Sequence, residues 1–496
     1  MYTIPNVLKS EVIGKYNTGY VLIISAVAAL GGLLFGYDWV VIGGAKPFYE
    51  PYFRLTSEAY IGWANSCALV GCLIGSMVCG ALSDRLGRKP LLILSAILFA
   101  VSSVYTGWAD GFSVFVAWRI VGGIAIGMAS NVSPTYIAEV SPAAWRGRLV
   151  TLNQLATVVG ILAAQIVNWQ IAQPVPQDAT AEMIRQSWNG QFGWRWMFVA
   201  VAVPSAVFFM GALFIPESPR WLVKRGNNER ARRTLSRIGG EAYGTQALDE
   251  IRTALNAESQ TAAVWRELRT PVLLSVLVTG ITLAVLQQWS GINVIFSYAE
   301  DIYRSGGYGV SGVLFNIIIT GTINLIFTLI ALQWVDRLGR RTLMLHGCAG
   351  IALSHILLGT AYALGIKGLP ILLLTLCAIA CFAVSLAPVT WVLISEIFPG
   401  RIRGFAVSVS VSALWVACFI ATFTFPILNR TLGSAGTFWI YGAICVAGFV
   451  VVLLRVPETK GLSLEQVERH WSERHTAENA TDSLNVVQTH ETEIQR

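Results

Sequence analysis

Apolar residues in this chain run in long blocks, and polar residues gather in the short links between them. Val21 to Ala45 is one such block. A helix needs about 20 mostly apolar residues to cross a hydrocarbon core about 30 Å thick. Read against their charged and Gly/Pro breaks, the blocks predict twelve spans. Their limits fall near 20–45, 61–82, 90–109, 112–138, 149–172, 194–214, 271–303, 311–335, 342–364, 369–395, 404–428 and 434–455.

One polar insertion, 217–270, splits the series into six and six. It is rich in Arg, Lys and Glu, with helical patches such as Glu229 to Ile238, and reads as a set of short amphipathic helices. The expected organisation is an N-terminal segment (1–19), a six-helix half (20–216), the linker (217–270), a second six-helix half (271–456) and a polar tail (457–496). The tail reads as disordered beyond about Arg474. The fold class is an all-α membrane protein with two pseudo-symmetric halves.

Composition agrees. The chain is 54% hydrophobic and 13% charged, where soluble domains carry about 25% charged residues. The net charge of +7 does not indicate nucleic acid, because the cations lie in the links. Arg85, Arg88, Lys89, Arg146, Arg148, Arg337, Arg340, Arg341, Arg401 and Arg403 follow spans 2, 4, 8 and 10. The short links on the other side carry fewer: Lys46, Arg54, Arg304, Lys367 and Arg430. The positive-inside rule makes the basic links, and with an even number of spans both termini, cytoplasmic. Lys9, Glu11 and Lys15 precede an apolar segment too long for a cleaved signal. The eight cysteines lie in apolar blocks without a CxxC pair and read as packing residues.

The two halves repeat. Gly80-Ala81-Leu82-Ser83-Asp84-Arg85-Leu86-Gly87-Arg88-Lys89 is echoed by Trp334-Val335-Asp336-Arg337-Leu338-Gly339-Arg340-Arg341. Glu139 with Arg146-Gly147 is echoed by Glu396 with Arg403-Gly404, and Pro216-Glu217-Ser218 by Pro457-Glu458-Thr459. Three paired motifs in one order imply duplication, and duplicated halves joined at charged hinges are the construction of a transporter. Basic links alone would only fix topology; the repeated acids suggest ion pairs.

Several polar residues interrupt the spans. Gln154 lies in span 5, Gln287, Gln288 and Asn293 in span 7, and Asn324 in span 8. Such groups face the bundle interior or a wet cavity; interhelical hydrogen bonding is the plainer alternative. Gln287 and Gln288 are about 100° apart on a helix, so both border one cavity only if it is wide or the helix breaks, for instance at Gly291. Carboxamides donate and accept, which suits neutral hydroxyls. Trp391, Trp415 and Phe35 offer flat apolar faces. Asp38 in span 1 and Arg119 in span 4 are a pair that protonation would separate, or else a static ion pair. His355 is a lone intramembrane histidine and reads as packing.

The chain resembles the sugar porters of the major facilitator superfamily. The resemblance rests on Gly80 to Lys89, Arg119 to Gly123, Pro216 to Trp221, Gln287 to Asn293 and Pro457 to Gly461, and covers about Tyr20 to Leu464. Within the family it looks nearest to bacterial proton-coupled pentose and hexose symporters of the xylose type. The resemblance implies that Gln154, Gln287, Gln288, Asn293 and Trp391 contact a monosaccharide, with Trp415 beside them and Asn324, Phe35 and Tyr298 as further candidates. It implies that Asp38 and Arg119 couple proton entry. It also implies that Asp84, Arg85, Arg88, Glu139 and Arg146, with Asp336, Arg337, Arg340, Glu396 and Arg403, latch the halves at the cytoplasmic face while the carrier faces outward.

Three departures bear on the cargo. Leu414 stands where the xylose type has a sugar-binding glutamine, Ala387 replaces a glycine, and Ser297 replaces the first tyrosine of a pair whose second is Tyr298. The expected protein is a monomeric importer of a neutral pentose or hexose, in a bacterial inner membrane, with the proton as coupling ion and neither cofactor nor metal. A uniporter of the same fold and a transporter-like sugar sensor are the rivals. Walker A, HExxH and nucleophile-elbow motifs are absent, which argues against an enzyme.

Overall fold

The computed structural model describes residues 16–176, 179–258, 271–398 and 402–460. Among them, eleven helices are long and apolar enough to cross a membrane. The last, Arg403–Arg455, turns at Gly433 (φ 67°) and so contains spans 11 and 12, giving twelve crossings. The two halves form the major facilitator fold.

Close backbone contact builds the first half. A Cβ on Gly36 of span 1 would lie 1.9 Å from the Thr157 carbonyl oxygen of span 5, and one on Gly160 would lie 2.0 Å from the Leu33 carbonyl. Gly71 and Gly123 make the same reciprocal contact between spans 2 and 4. Lipid offers little hydrophobic drive for helix association, so small residues that let backbones touch supply dispersion contact instead.

Four boundaries differ from the sequence pattern. Span 1 was expected to end near residue 45, but the helix is Thr18–Phe53 and carries Pro47 and Pro51 inside it. It continues because Lys46 is buried against acids of the other half rather than sitting in a link. Span 6 starts earlier, through a π-turn at Asn189–Gly193. Span 7 divides into Pro271–Trp289, Ile292–Ser297 and Ala299–Ser305. Span 10 divides at Ser385 (φ −121°, ψ −88°) into Leu369–Val384 and Leu386–Glu396. In the insertion, Pro219–Lys224 and Asn228–Glu258 are helical, the latter kinked at Gly240.

Candidate functional site

Asp38 and Arg119 meet inside the first half. Arg119 Nη1 donates to Asp38 Oδ1 at 2.9 Å, and both side chains are buried. The guanidinium lies over the Phe198 ring, 5.5 Å from its centroid. Asp38 Oδ2 is buried without a hydrogen-bond partner, and faces Gly122, where a Cβ would stand 3.6 Å away. One carboxylate oxygen thus holds the arginine while the other is buried without a partner. Removing either member of a buried pair is costly, because it strands the other charge.

The span 7 break assembles the carboxamides. Gly291 adopts φ 84°, a conformation that costs a residue with a Cβ but not glycine. The break brings Asn293 back to Gln288: Asn293 Nδ2 donates to Gln288 Oε1. Gln288 Nε2 donates to Gln287 Oε1 at 3.3 Å. Gln287 Nε2 in turn donates to the carbonyls of Leu386 (3.1 Å) and Ala387 (3.3 Å), in the first turn after the second break, in span 10. The two helix interruptions therefore lie against each other.

His355 does more than pack. Its Nε2 lies 2.8 Å from the Ser290 carbonyl oxygen, which the break has released from the helical ladder. The ring is fully buried, with Nδ1 unpartnered. An isolated histidine gave no sign of this in sequence, because its partner is a main-chain atom 65 residues away.

The aromatic wall spans both halves. Trp415 lies 6.0 Å from Phe35 and 6.1 Å from Trp39, ring to ring. Its Nε1 is buried without an acceptor, an unpaired donor beside the carboxamides' own helix bundle. Trp391 is 39% exposed, Gln154 is half-buried, and Asn324 and Leu414 are buried. Gln165, passed over in the sequence, is buried with both amide atoms unpartnered. Its Oε1 would be 1.8 Å from a Cβ on Gly321 of span 8. It lies three helical turns beyond Gln154 on the same face, a spacing that gave the available signal.

At the basic end, the repeated motifs build the same device twice. In the first half, Arg88 pairs with Glu139 at 2.9 Å. Glu217 accepts from the backbone N–H of Arg88 (3.0 Å) and Lys89, and Ser218 Oγ donates to Glu139 at 2.5 Å. In the second, Arg340 pairs with Glu396 at 3.4 Å. Glu458 accepts from the N–H of Arg340 (2.9 Å) and Arg341 (3.1 Å), and Thr459 Oγ1 donates to Glu396 at 2.6 Å. Gly87 and Gly339 (φ 100° and 95°) make the turns that present these N–H groups. Glu217 and Glu458 are thus helix N-terminal acceptors, a role the sequence reading left unassigned.

The described ion pairs at this end each stay within one half or join it to the linker. Asp84 pairs with Lys224 at 3.0 Å, Arg146 Nε donates to the Ala138 carbonyl, and the Arg85 and Arg337 carbonyls accept from Arg225 and Lys460. The side chains of Asp336 and Arg403 lie outside the described residues.

The opposite end is where the halves touch. Lys46 Nζ reaches Glu300 Oε2 and Asp301 at 2.9 Å, and Arg430 reaches Glu58 at 3.5 Å. Cβ atoms on Gly43 and Gly62 would lie 2.6 and 2.4 Å from the Phe296 and Phe423 carbonyls. Tyr298 belongs to this closure: it is fully buried, its hydroxyl donates to the Thr422 carbonyl at 2.8 Å, and its ring lies tilted against Phe425, 4.6 Å between centroids.

Two six-helix halves, closed at one end over a buried acid–base pair and broken helices lined with carboxamides, define a secondary transporter. A sequence profile described as "Sugar (and other) transporter" matches residues 24–471, and the chain belongs to that family. It is 38% identical to the D-xylose-proton symporter of Escherichia coli over 92% of this chain and 97% of that protein. It is 38% identical to the arabinose-proton symporter of Bacillus subtilis over 94% and 98%. An inward-open structure of the Escherichia coli xylose transporter superposes with a TM-score of 0.79 at 37% identity, covering 91% of this chain and all of that one. The protein is a membrane transporter, not an enzyme.

Proposed function

We propose that this protein imports a neutral monosaccharide together with a proton by alternating access. The basic end faces the cytoplasm of a bacterial cell, following the distribution of Lys and Arg, and the conformation here is closed to the outside. The observation that carries the coupling is the buried Arg119–Asp38 contact, with Asp38 Oδ2 left unpaired. A proton on Asp38 neutralises the acid and frees Arg119, so the protonated and deprotonated states favour different conformations.

The sugar sits among Gln154, Gln287, Gln288, Asn293 and Asn324, with Trp391, Trp415 and Phe35 as walls. Their amides donate to and accept from hydroxyls, and the unpaired Trp415 Nε1 supplies a further donor. A single charge on the ligand would require a countercharge among these residues, and they have none. With Leu414 buried next to Trp415, the site suits a pentose or hexose and does not reproduce the xylose type in full.

The proton is the driving ion and no cofactor is required. Entry down about 100 mV releases about 2.3 kcal/mol, and one pH unit adds about 1.4 kcal/mol. Together they support roughly several-hundred-fold accumulation at one proton per sugar. Purified protein in proteoliposomes, given one labelled sugar with competing pentoses and hexoses, tests this directly. Accumulation should need an inward proton gradient and collapse with a protonophore. Equilibration to the same level without the gradient would mean facilitated diffusion.

A further inference from the structure

We propose that Glu50, held against Lys46, Glu300, Asp301 and Arg304, is a second proton-binding site. It sits on the closed end of the bundle and sets how readily that end shuts. It is separate from the Asp38–Arg119 pair and rests on the alternating-access reading only in that the two halves part at this end.

The cluster joins the two halves. Lys46 and Glu50 come from the Thr18–Phe53 helix, and the other three from Ala299–Ser305. Lys46 is 2% exposed and carries three acids: Glu300 at 2.9 Å, Asp301 at 2.9 Å, and Glu50 at 3.3 Å. Arg304 adds a second cation at 2.9 Å from Glu300. Two cations therefore face three carboxylates, and one negative charge is left over beside the buried Lys46 and Glu300.

The surplus falls on Glu50. Glu300 is held by both Lys46 and Arg304, and Asp301 has both its oxygens near the ammonium. Glu50 has only the longer approach: its Oε1 lies 3.3 Å from the ammonium, outside hydrogen-bond geometry. A buried carboxylate held by one such contact is poorly compensated for its lost water. Binding a proton there removes the surplus charge.

The surrounding groups do not cancel it. Glu182 and Arg185, on the neighbouring Ala181–Gln186 helix, pair with each other at 2.5 Å. Arg54 is exposed at the rim. Tyr49 and Tyr298, packed beside Lys46, are neutral phenols.

Opening this end separates the sets. Lys46 with Glu50 is neutral, and Glu300 and Asp301 with Arg304 meet water, so neither needs the extra proton. The closed state thus binds more protons than the open one, and acid favours closure. Glu50, Glu300 and Asp301 line a cavity of about 630 Å³ at this end, so the proton enters and leaves on one side. The site gates and does not drive transport.

Hydrogen–deuterium exchange of the full-length protein in nanodiscs, without sugar, tests this. Exchange is corrected for the intrinsic rate and followed over about pH 5 to 8, a range that a buried carboxyl can enter. Peptides covering 47–56 and 299–305 should become several-fold more protected as pH falls. Glu50→Gln, which imitates the protonated acid, should be protected at every pH, while peptides in spans 2 and 4 report that it is folded. Glu50→Gln with the wild-type pH response overturns the proposal, as does a wild-type protein with no response. In Asp38→Asn a pH response at this end should remain, and should disappear when Glu50→Gln is added; its loss in Asp38→Asn alone would place the sensor at Asp38 instead. Failure of proton-driven uptake, by contrast, would leave this measurement unaffected.

Discussion

Arg119 Nη1 and Asp38 Oδ1 are 2.9 Å apart in a buried contact between spans 4 and 1, and the second oxygen of Asp38 has no partner. Asp38→Asn keeps the shape and removes the titration. It should abolish proton-driven accumulation while leaving sugar counterflow. Arg119→Leu leaves the acid unpaired, at about 3–5 kcal/mol if it stays ionised, and should reduce both. Counterflow and gradient-driven uptake, measured on the same proteoliposomes, separate the two; equal loss of both in Asp38→Asn would make Asp38 structural.

Gln288 links Gln287 to Asn293 across the break. Gln288→Ala should raise the sugar KM about tenfold, equivalent to about 1.4 kcal/mol. Unchanged affinity in a binding assay would remove it from the sugar site.

His355→Leu should leave the Ser290 carbonyl with only the weak Cys445 thiol, at 3.8 Å, as a side-chain donor, and so weaken sugar binding from outside the proposed sugar contacts. His355→Gln keeps a donor and should recover most of the affinity. If both variants behave alike, the ring serves as packing only.

Gly43→Val puts atoms where the Phe296 carbonyl sits, since even a Cβ would be 2.6 Å from that oxygen. The variant should fold, because each half is intact, but close poorly at this end. Uptake should fall severalfold or more, with peptides covering 292–297 exchanging faster with deuterium.

Glu217 accepts hydrogen bonds at the turn into span 3. Burial raises its pKa above the ordinary carboxylate value, opposed by the N–H groups of Ser218, Arg88 and Lys89. A raised folded-state value means that the folded form binds the proton more tightly. Its stabilising contribution is full below the unfolded pKa, and is lost as pH rises through the raised one. Glu217→Gln retains an acceptor and should flatten that pH dependence of the melting temperature. Glu217→Ala strands the N–H groups, at about 1–3 kcal/mol per unsatisfied donor, and should lower the melting temperature at all pH values.

Much of this was legible from the chain. Block length alone gave the spans, because a helix must satisfy its own backbone in lipid. The repeated Asp-Arg-x-Gly-Arg motifs showed the duplication, and Gly291 marked the break in span 7. Each of these signals is local, set by residues near one another in sequence.

What the chain did not reveal lies in contacts between distant segments. Lys46 read as a link residue, because its acids are more than 250 positions away. The break at Ser385 carried no glycine signal, and the turn that follows it is contacted by Gln287, about a hundred residues earlier. Glu217 and Glu458 read only as repeat markers until the fold set them at the turns before Arg88 and Arg340. Sequence by itself determined the spans, the two halves and the polar residues that must face inward, since the bilayer penalises any other placement. Only the tertiary structure decided which of those residues meet, which end is closed and which buried charge is left unmatched, because pairing is a property of distance.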